Sequence, residues 1–177
     1  MRTNIDFDQI EESKPKAGVK AGAYVCRITN ATDYPAKEYV EVIWDIAEGE
    51  FKDNYSDQWG EEHPYAHHFY MSYKDTALGF LKMILNAISA SNPGFDASAA
   101  WNGGRLDMFN GRLVGLNLRD EEYEKDGEVR TRLVVGGWAA VQDVRAGVVK
   151  PMGCKKLQNS NNVQQSSNTQ AHVIDMG

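Results

Sequence analysis

The sequence predicts a mainly β, mixed α+β domain: five or more strands in a small Greek-key barrel, with one helix between the third and fourth strands. Three observations predict it. Only one long stretch, within His67 to Phe95, carries helical periodicity; alternating segments lie on both sides of it; and Asp126-Gly127 sits between two alternating runs as a two-residue type I′ hairpin turn.

Met1 to Lys20 is polar, contains Pro15 and Gly18 and shows little periodicity. It reads as an N-terminal arm (1–20) whose Ile5, Phe7 and Ile10 are able to dock on the body. "AGAYVCRITNATDY" follows as a strand in which Tyr24, Cys26 and Ile28 alternate with Val25 and Arg27, with turn residues from Asn30 to Pro35. "KEYVEVIWDIAEGEF" is the clearest strand: Val40, Val42, Trp44 and Ile46 face one side, and Tyr39, Glu41, Ile43 and Asp45 the other. A long polar and aromatic connection, Phe51 to Tyr65, leads to a third strand ending near Ser72. Ser72 followed by Asp75 approximates a capping-box spacing, so the helix is expected from about Tyr73 to Ala90. Ala77, Leu81, Ile84, Leu85 and Ile88 make one apolar stripe, and "SNPG" stops it. A short helical turn around Ala97 to Trp101, the strand "NGRLVGLNLRD", the hairpin "EEYEKDGEVRTRLVV" and a short helix from Ala140 to Ala146 complete the order.

Three strands before the helix and two after it is the order of a Greek-key barrel of the OB type. A generic α+β sandwich shares that order. The β-rich OB-like domain is placed at 21–152. Residues 153–177, rich in Asn, Gln and Ser, bury too little apolar surface to offset the entropy of ordering and are expected as a disordered polar tail.

With 177 residues and 42% hydrophobic content, one core and one domain are expected. No signal-peptide pattern and no membrane-spanning apolar run occurs, and Cys26 and Cys154 form neither a CxxC pair nor a disulfide framework, which fits a reducing cytoplasm. The formal charge is -6, and Asp175 is the only formal charge from Leu157 onward, so the acidity lies in the body. This weighs against nucleic-acid binding over the whole surface but leaves room for a local basic groove.

The sequence lacks the P-loop, nucleophile-elbow, zincin and dinucleotide fingerprints, so a non-catalytic protein without cofactor is expected. Glu61, Glu62, His63, His67 and His68 form the densest metal-like cluster. Pro64 opposes a helix there, and His67 and His68 point oppositely on a strand, so a solvated loop with partly exposed histidines is the favoured reading over a metal site. On the hairpin, Lys125 pairs with Glu128, Tyr123 with Arg130 and Glu121 with Arg132, which gathers Arg119, Tyr123, Lys125, Arg130 and Arg132 on one face. Cations beside an aromatic platform are the ingredients of single-strand binding, and Tyr39, Trp59 and Tyr70, with Tyr55 and Tyr65, supply further rings. The more common arrangement for such a face is a cross-strand charge ladder, with Glu121 and Glu128 neutralising the cations opposite them.

The phrases "GAYVCRITNA", "VIWDIAEGEFKDNY", "SYKDTALGFLKMILNAISASNPGF", "FNGRLVGLNLRDEEYEKDGEVRTRL" and "VQDVRAGVVKPM", spanning Gly22 to Met152, resemble a family of uncharacterised bacteriophage and prophage proteins common in phages of Firmicutes. The resemblance implies an OB-like accessory protein of phage DNA replication or recombination, in the cytoplasm of the host bacterial cell, that binds single-stranded DNA. Outside that span, the tail end "HVIDMG" resembles the short acidic and apolar tips of single-stranded DNA-binding protein tails, which implies phage or host replication or recombination proteins as its partners; the other reading of it is an ordinary disordered terminus. The chain departs from the family after "SNPGF", where "DASAAWNGG" keeps only Trp101 of an aromatic, basic segment. The alternative is an adaptor that binds a phage or host enzyme without touching nucleic acid, which the acidic body suits; a nuclease comes third, opposed by the lack of a carboxylate and lysine constellation.

Overall fold

The computed structural model describes residues 2–11 and 18–158. Along the chain run β1 (Gly22–Tyr34), β2 (Tyr39–Ile46), α1 (Gln58–Glu62), β3 (His68–Ser72), α2 (Leu78–Ser91), α3 (Ala97–Asn102), β4 (Leu113–Lys125), β5 (Glu128–Ala139) and α4 (Val141–Arg145). The strands form one antiparallel five-stranded sheet in the order β3-β2-β1-β4-β5. The fold is mixed α+β and mainly β. The barrel expected from the sequence is not closed: among the described residues no backbone ladder joins β3 to β5. β3 has only five residues, and Phe69 on it meets Trp138 on β5 edge to face, with ring centroids 5.5 Å apart, so side chains occupy the seam where a ladder would run.

β1 is longer than its alternation indicates. Thr29 is an extra residue between the pairs Ile28 with Trp44 and Asn30 with Ile43, and its hydroxyl donates to the Ile43 carbonyl at 3.1 Å. The strand continues through the expected turn, because its backbone groups stay paired with β2 as far as Tyr34. The reversal comes at Pro35–Lys37, closed by Glu38 at φ 56°. In β2 the predicted faces hold: Val40, Val42, Trp44 and Ile46 are all buried.

α2 begins later than the expected Tyr73. Ser72 does not cap it; the Ser72 hydroxyl lies 3.4 Å from both the Glu38 carbonyl and the Lys74 N–H, and Asp75–Ala77 forms a 3-10 turn first. Four of the five stripe residues are as predicted, with Leu81, Ile84, Leu85 and Ile88 buried and each contributing about 1.5–3 kcal/mol on transfer from water, whereas Ala77 belongs to the 3-10 turn and is only half-buried. Asn92 then fastens the helix end to β4: its amide donates to the carbonyls of Ile88 (2.7 Å) and Leu113 (2.8 Å), and its oxygen accepts from Leu113 N–H (2.9 Å). On the opposite face of the sheet α4 sits over β1 and β4, where Val141 joins Val25 and Ala47 in a smaller cluster.

Both chain ends depart from expectation. Phe7 opens a 3-10 turn and Ile10 caps its end, and both stay exposed, whereas Ile5 is half-buried. Six residues expected in the disordered tail, 153–158, lie along β4. Lys155 exchanges backbone hydrogen bonds with Asp120 (2.8 Å) and Glu122 (2.9 Å) as a parallel bridge, and Lys155 and Lys156 pair with Glu121 and Glu122. This edge of β4 is free there because β1 pairs only with 113–118, so the segment finds backbone partners that composition does not reveal. The remainder of the expected tail, with its "HVIDMG" tip, lies outside the described residues.

Candidate functional site

The unclosed seam is a cleft of about 860 Å³. One wall is β3, through His68, Phe69 and Tyr70; the other is β5, through Arg132 to Val135 and Trp138. Tyr123 and Lys125 reach in from β4, and Trp59 and Tyr65 from the connection before β3. Such a volume is within the range of ligand-binding clefts, and its rings come from five separate parts of the chain, β2, the connection, β3, β4 and β5.

The connection between β2 and β3 is held by a buried carboxylate. Asp45 accepts from the N–H groups of Ile46 (2.8 Å) and Tyr55 (3.1 Å), and burial pushes its carboxyl above the ordinary range. This anchors Tyr55, which stacks on His67 with centroids 4.6 Å apart; both rings stand edge to face against Trp44. His67 is therefore not the partly exposed loop histidine expected from the sequence. It is 5% exposed in the 3-10 turn 64–67, and burial lowers its pKa to about 4, so the ring is neutral at pH 7. His63 stacks on Trp59 (4.6 Å) and places its Nδ1 2.7 Å from the Trp59 carbonyl. His68 approaches Glu41 at 3.3 Å. The histidines thus serve ring stacks and one approach to a carboxylate, and among the described residues no group of three or more His, Cys, Asp or Glu is placed to hold a metal ion.

α1 turns on Asp57, whose carboxylate caps the Gly60 N–H at 2.9 Å. A Cβ at Gly60 would land on the Tyr55 carbonyl. Gly60→Ala is expected to destabilise the domain by about 1–3 kcal/mol through overpacking. Limited proteolysis should show faster cutting within 51–65. Gly79→Ala, at an open position on α2, should by contrast be neutral or stabilising in thermal melts.

The hairpin has the predicted register. Asp126 and Gly127 both adopt positive φ (55° and 76°), and Lys125, Tyr123 and Glu121 face Glu128, Arg130 and Arg132. Of the eight residues singled out in the sequence, Trp59, Tyr70, Tyr123, Lys125 and Arg132 line the cleft, whereas Tyr39, Arg119 and Arg130 do not. Arg132 donates through two nitrogens to one Glu121 oxygen (3.1 and 2.9 Å) and lies 5.2 Å from the Tyr123 ring centroid; Arg130 pairs with Glu128 at 3.4 Å. Arg132 and Lys155 together hold the Glu121 carboxyl below its usual range. One cross-strand rung of the expected ladder is present, Glu121 with Arg132, beside an Arg-Tyr contact, whereas Glu128 pairs along its own strand with Arg130 instead of with the opposite Lys125. Lys125 makes no ion pair among the described residues. Arg119 packs its stem over Gly136, with its Nε buried and unpartnered.

Val19, His68, Phe69 and Trp138 are cleft residues that the sequence reading missed, and Trp44, read as core, is both core and cleft floor. Only the seam between β3 and β5 joins them, and no local pattern marks it. No protein-family model matches the chain, and no curated protein matches it significantly.

Proposed function

We propose that this chain binds single-stranded DNA in the cleft between β3 and β5, as a non-catalytic accessory protein of phage DNA replication or recombination. The observation that carries the proposal is the convergence of Trp59, Tyr65, Tyr70 and Tyr123 with Lys125 and Arg132 on one cleft. Aromatic faces accept any base, at about 1–3 kcal/mol per stacked base, and cations beside them meet the phosphates. The fold supports the same reading. Closing β3 on β5 would complete a five-stranded OB-like Greek-key barrel, a partly open architecture whose ligands lie against strands 2 and 3 and the flanking hairpin loops.

Stacking rather than charge dominates the expected affinity. The cleft offers Lys125 and a partly neutralised Arg132 in a body of net negative charge, so about two phosphates are engaged and the slope of log K against log salt is expected near -1 to -2. The test is fluorescence anisotropy of a labelled single strand of about thirty bases at low and moderate salt. Expected are saturable binding, a preference over duplex, and loss of binding by tenfold or more (about 1.4 kcal/mol) in a Lys125→Glu, Arg132→Glu variant.

One observation favours a second reading, a protein-interaction adaptor. β3 and β5 each keep one edge without a strand partner among the described residues, and an extended peptide is able to add to such an edge. An absence of oligonucleotide binding at low salt would overturn the first reading in favour of this one.

A further inference from the structure

A line of rings leaves the cleft on the outer face of the sheet. Register places Tyr34 opposite Tyr39, and Tyr39 diagonal to Tyr70, with ring centroids 5.5 and 4.5 Å apart; His68 continues the line 4.8 Å beyond Tyr70. Tyr70 and His68 are also cleft walls, so the line and the cleft are continuous. Tyr34 and Tyr70 are 40% and 43% exposed. Isolated exposed aromatics need no explanation, whereas a contiguous row does.

The Thr29 bulge is the device that builds the row. Cys26 and Ile28 point into the core, and unbroken alternation would send Tyr34 inward with them. The extra residue inverts the alternation, so Ala31 faces Val42 on the core side and Tyr34 joins Tyr39 outside. Lys37, in the turn between them, holds its ammonium 5.9 Å from the Tyr39 centroid, beside the far end of the row. The nearby acids are mostly engaged: Asp33 accepts from the Tyr73 hydroxyl at 2.9 Å, and Glu41 lies between His68 and the Tyr70 hydroxyl. Asp33 and Glu38 are the acids that stay exposed beside the turn.

We infer that Tyr34, Tyr39 and Tyr70 form a stacking track that carries single-stranded DNA out of the cleft and across β3, β2 and the end of β1, with Lys37 meeting the backbone at its far end. The inference rests on the single-strand reading of the cleft. It predicts a binding site longer than the cleft alone.

The test compares labelled oligothymidylates of about six and about fifteen bases, lengths that bracket the reach of one small barrel. The wild type should bind the longer strand more tightly. Tyr34→Ala and Tyr39→Ala should each weaken the longer strand by about fivefold or more, while leaving the shorter strand unchanged. Tyr34→Phe, which keeps the ring, should bind like the wild type, and matching thermal melts of all variants check the fold. Tyr34→Ala binding both strands like the wild type, or losing both equally, would overturn the track while leaving the cleft proposal standing. A wild type that binds neither strand would overturn the cleft reading and the track together.

Discussion

Trp44→Ala is expected to lower the free energy of unfolding by about 3–5 kcal/mol, a large share of the 5–15 kcal/mol that holds a domain of this kind. Trp44 is 2% exposed, sits in the central part of β2, and faces Tyr55 and His67 edge to face. Truncation removes the indole from the core and also the surface against which the connection before β3 is laid. Urea unfolding followed by circular dichroism should show a lower midpoint with an unchanged m-value. Trp44→Phe, which keeps an aromatic face, should lose much less. A loss below about 1 kcal/mol for the alanine variant would mean that the indole is not packed as described.

The second large effect is a dependence of stability on pH centred on His67. Its pKa is about 4 in the folded protein and about 6.5 when unfolded, because burial against Tyr55 and Trp44 disfavours the cation and the neighbouring His68 adds to the effect. Between those values the unfolded chain binds more protons, so stability rises with pH across the window. The contribution is fully present above pH 6.5 and is lost progressively as pH falls to 4, amounting to about 3 kcal/mol. Asp45 lies in the same region with its carboxyl raised by burial, so its share runs the other way, falling as pH rises through its folded pKa. The comparison that isolates His67 is therefore with His67→Phe, which keeps a ring on Tyr55 and cannot titrate. Urea midpoints at pH 7.5, 6, 5 and 4.5 should fall more steeply in the wild type than in the variant. Parallel slopes would exclude the histidine as their source.

Much of this architecture is written in local patterns. The alternation in β2 gives its buried face residue by residue, the stripe in α2 gives its packing side, and Asp126-Gly127 fixes the hairpin register, because each depends on neighbours within a few positions. The failures are equally physical. The Thr29 bulge breaks alternation and makes the end of β1 resemble a turn. Lys155 joins β4 through backbone groups, which every residue carries, so composition cannot announce it. His67 is buried by rings distant in sequence. The cleft itself joins Trp59 and Tyr70 to Tyr123 and Arg132 only because the β3 and β5 edges approach without pairing, a long-range outcome with no short signal. The hairpin face was legible as a list of residues, whereas its division into ladder and platform depends on which glutamate each arginine meets.

The same seam has a consequence for how the sheet survives in a crowded solution. An unpaired strand edge invites the edge of another molecule, and sheets ordinarily blunt that invitation with charge, brevity or cover. Here the Lys155 segment covers Asp120 to Glu122 of the free stretch of β4, while β3 and β5 turn their open edges toward one shared cleft. Whatever fills that cleft also seals the edges most able to recruit a second chain. Occupancy and resistance to aggregation then become two aspects of one event.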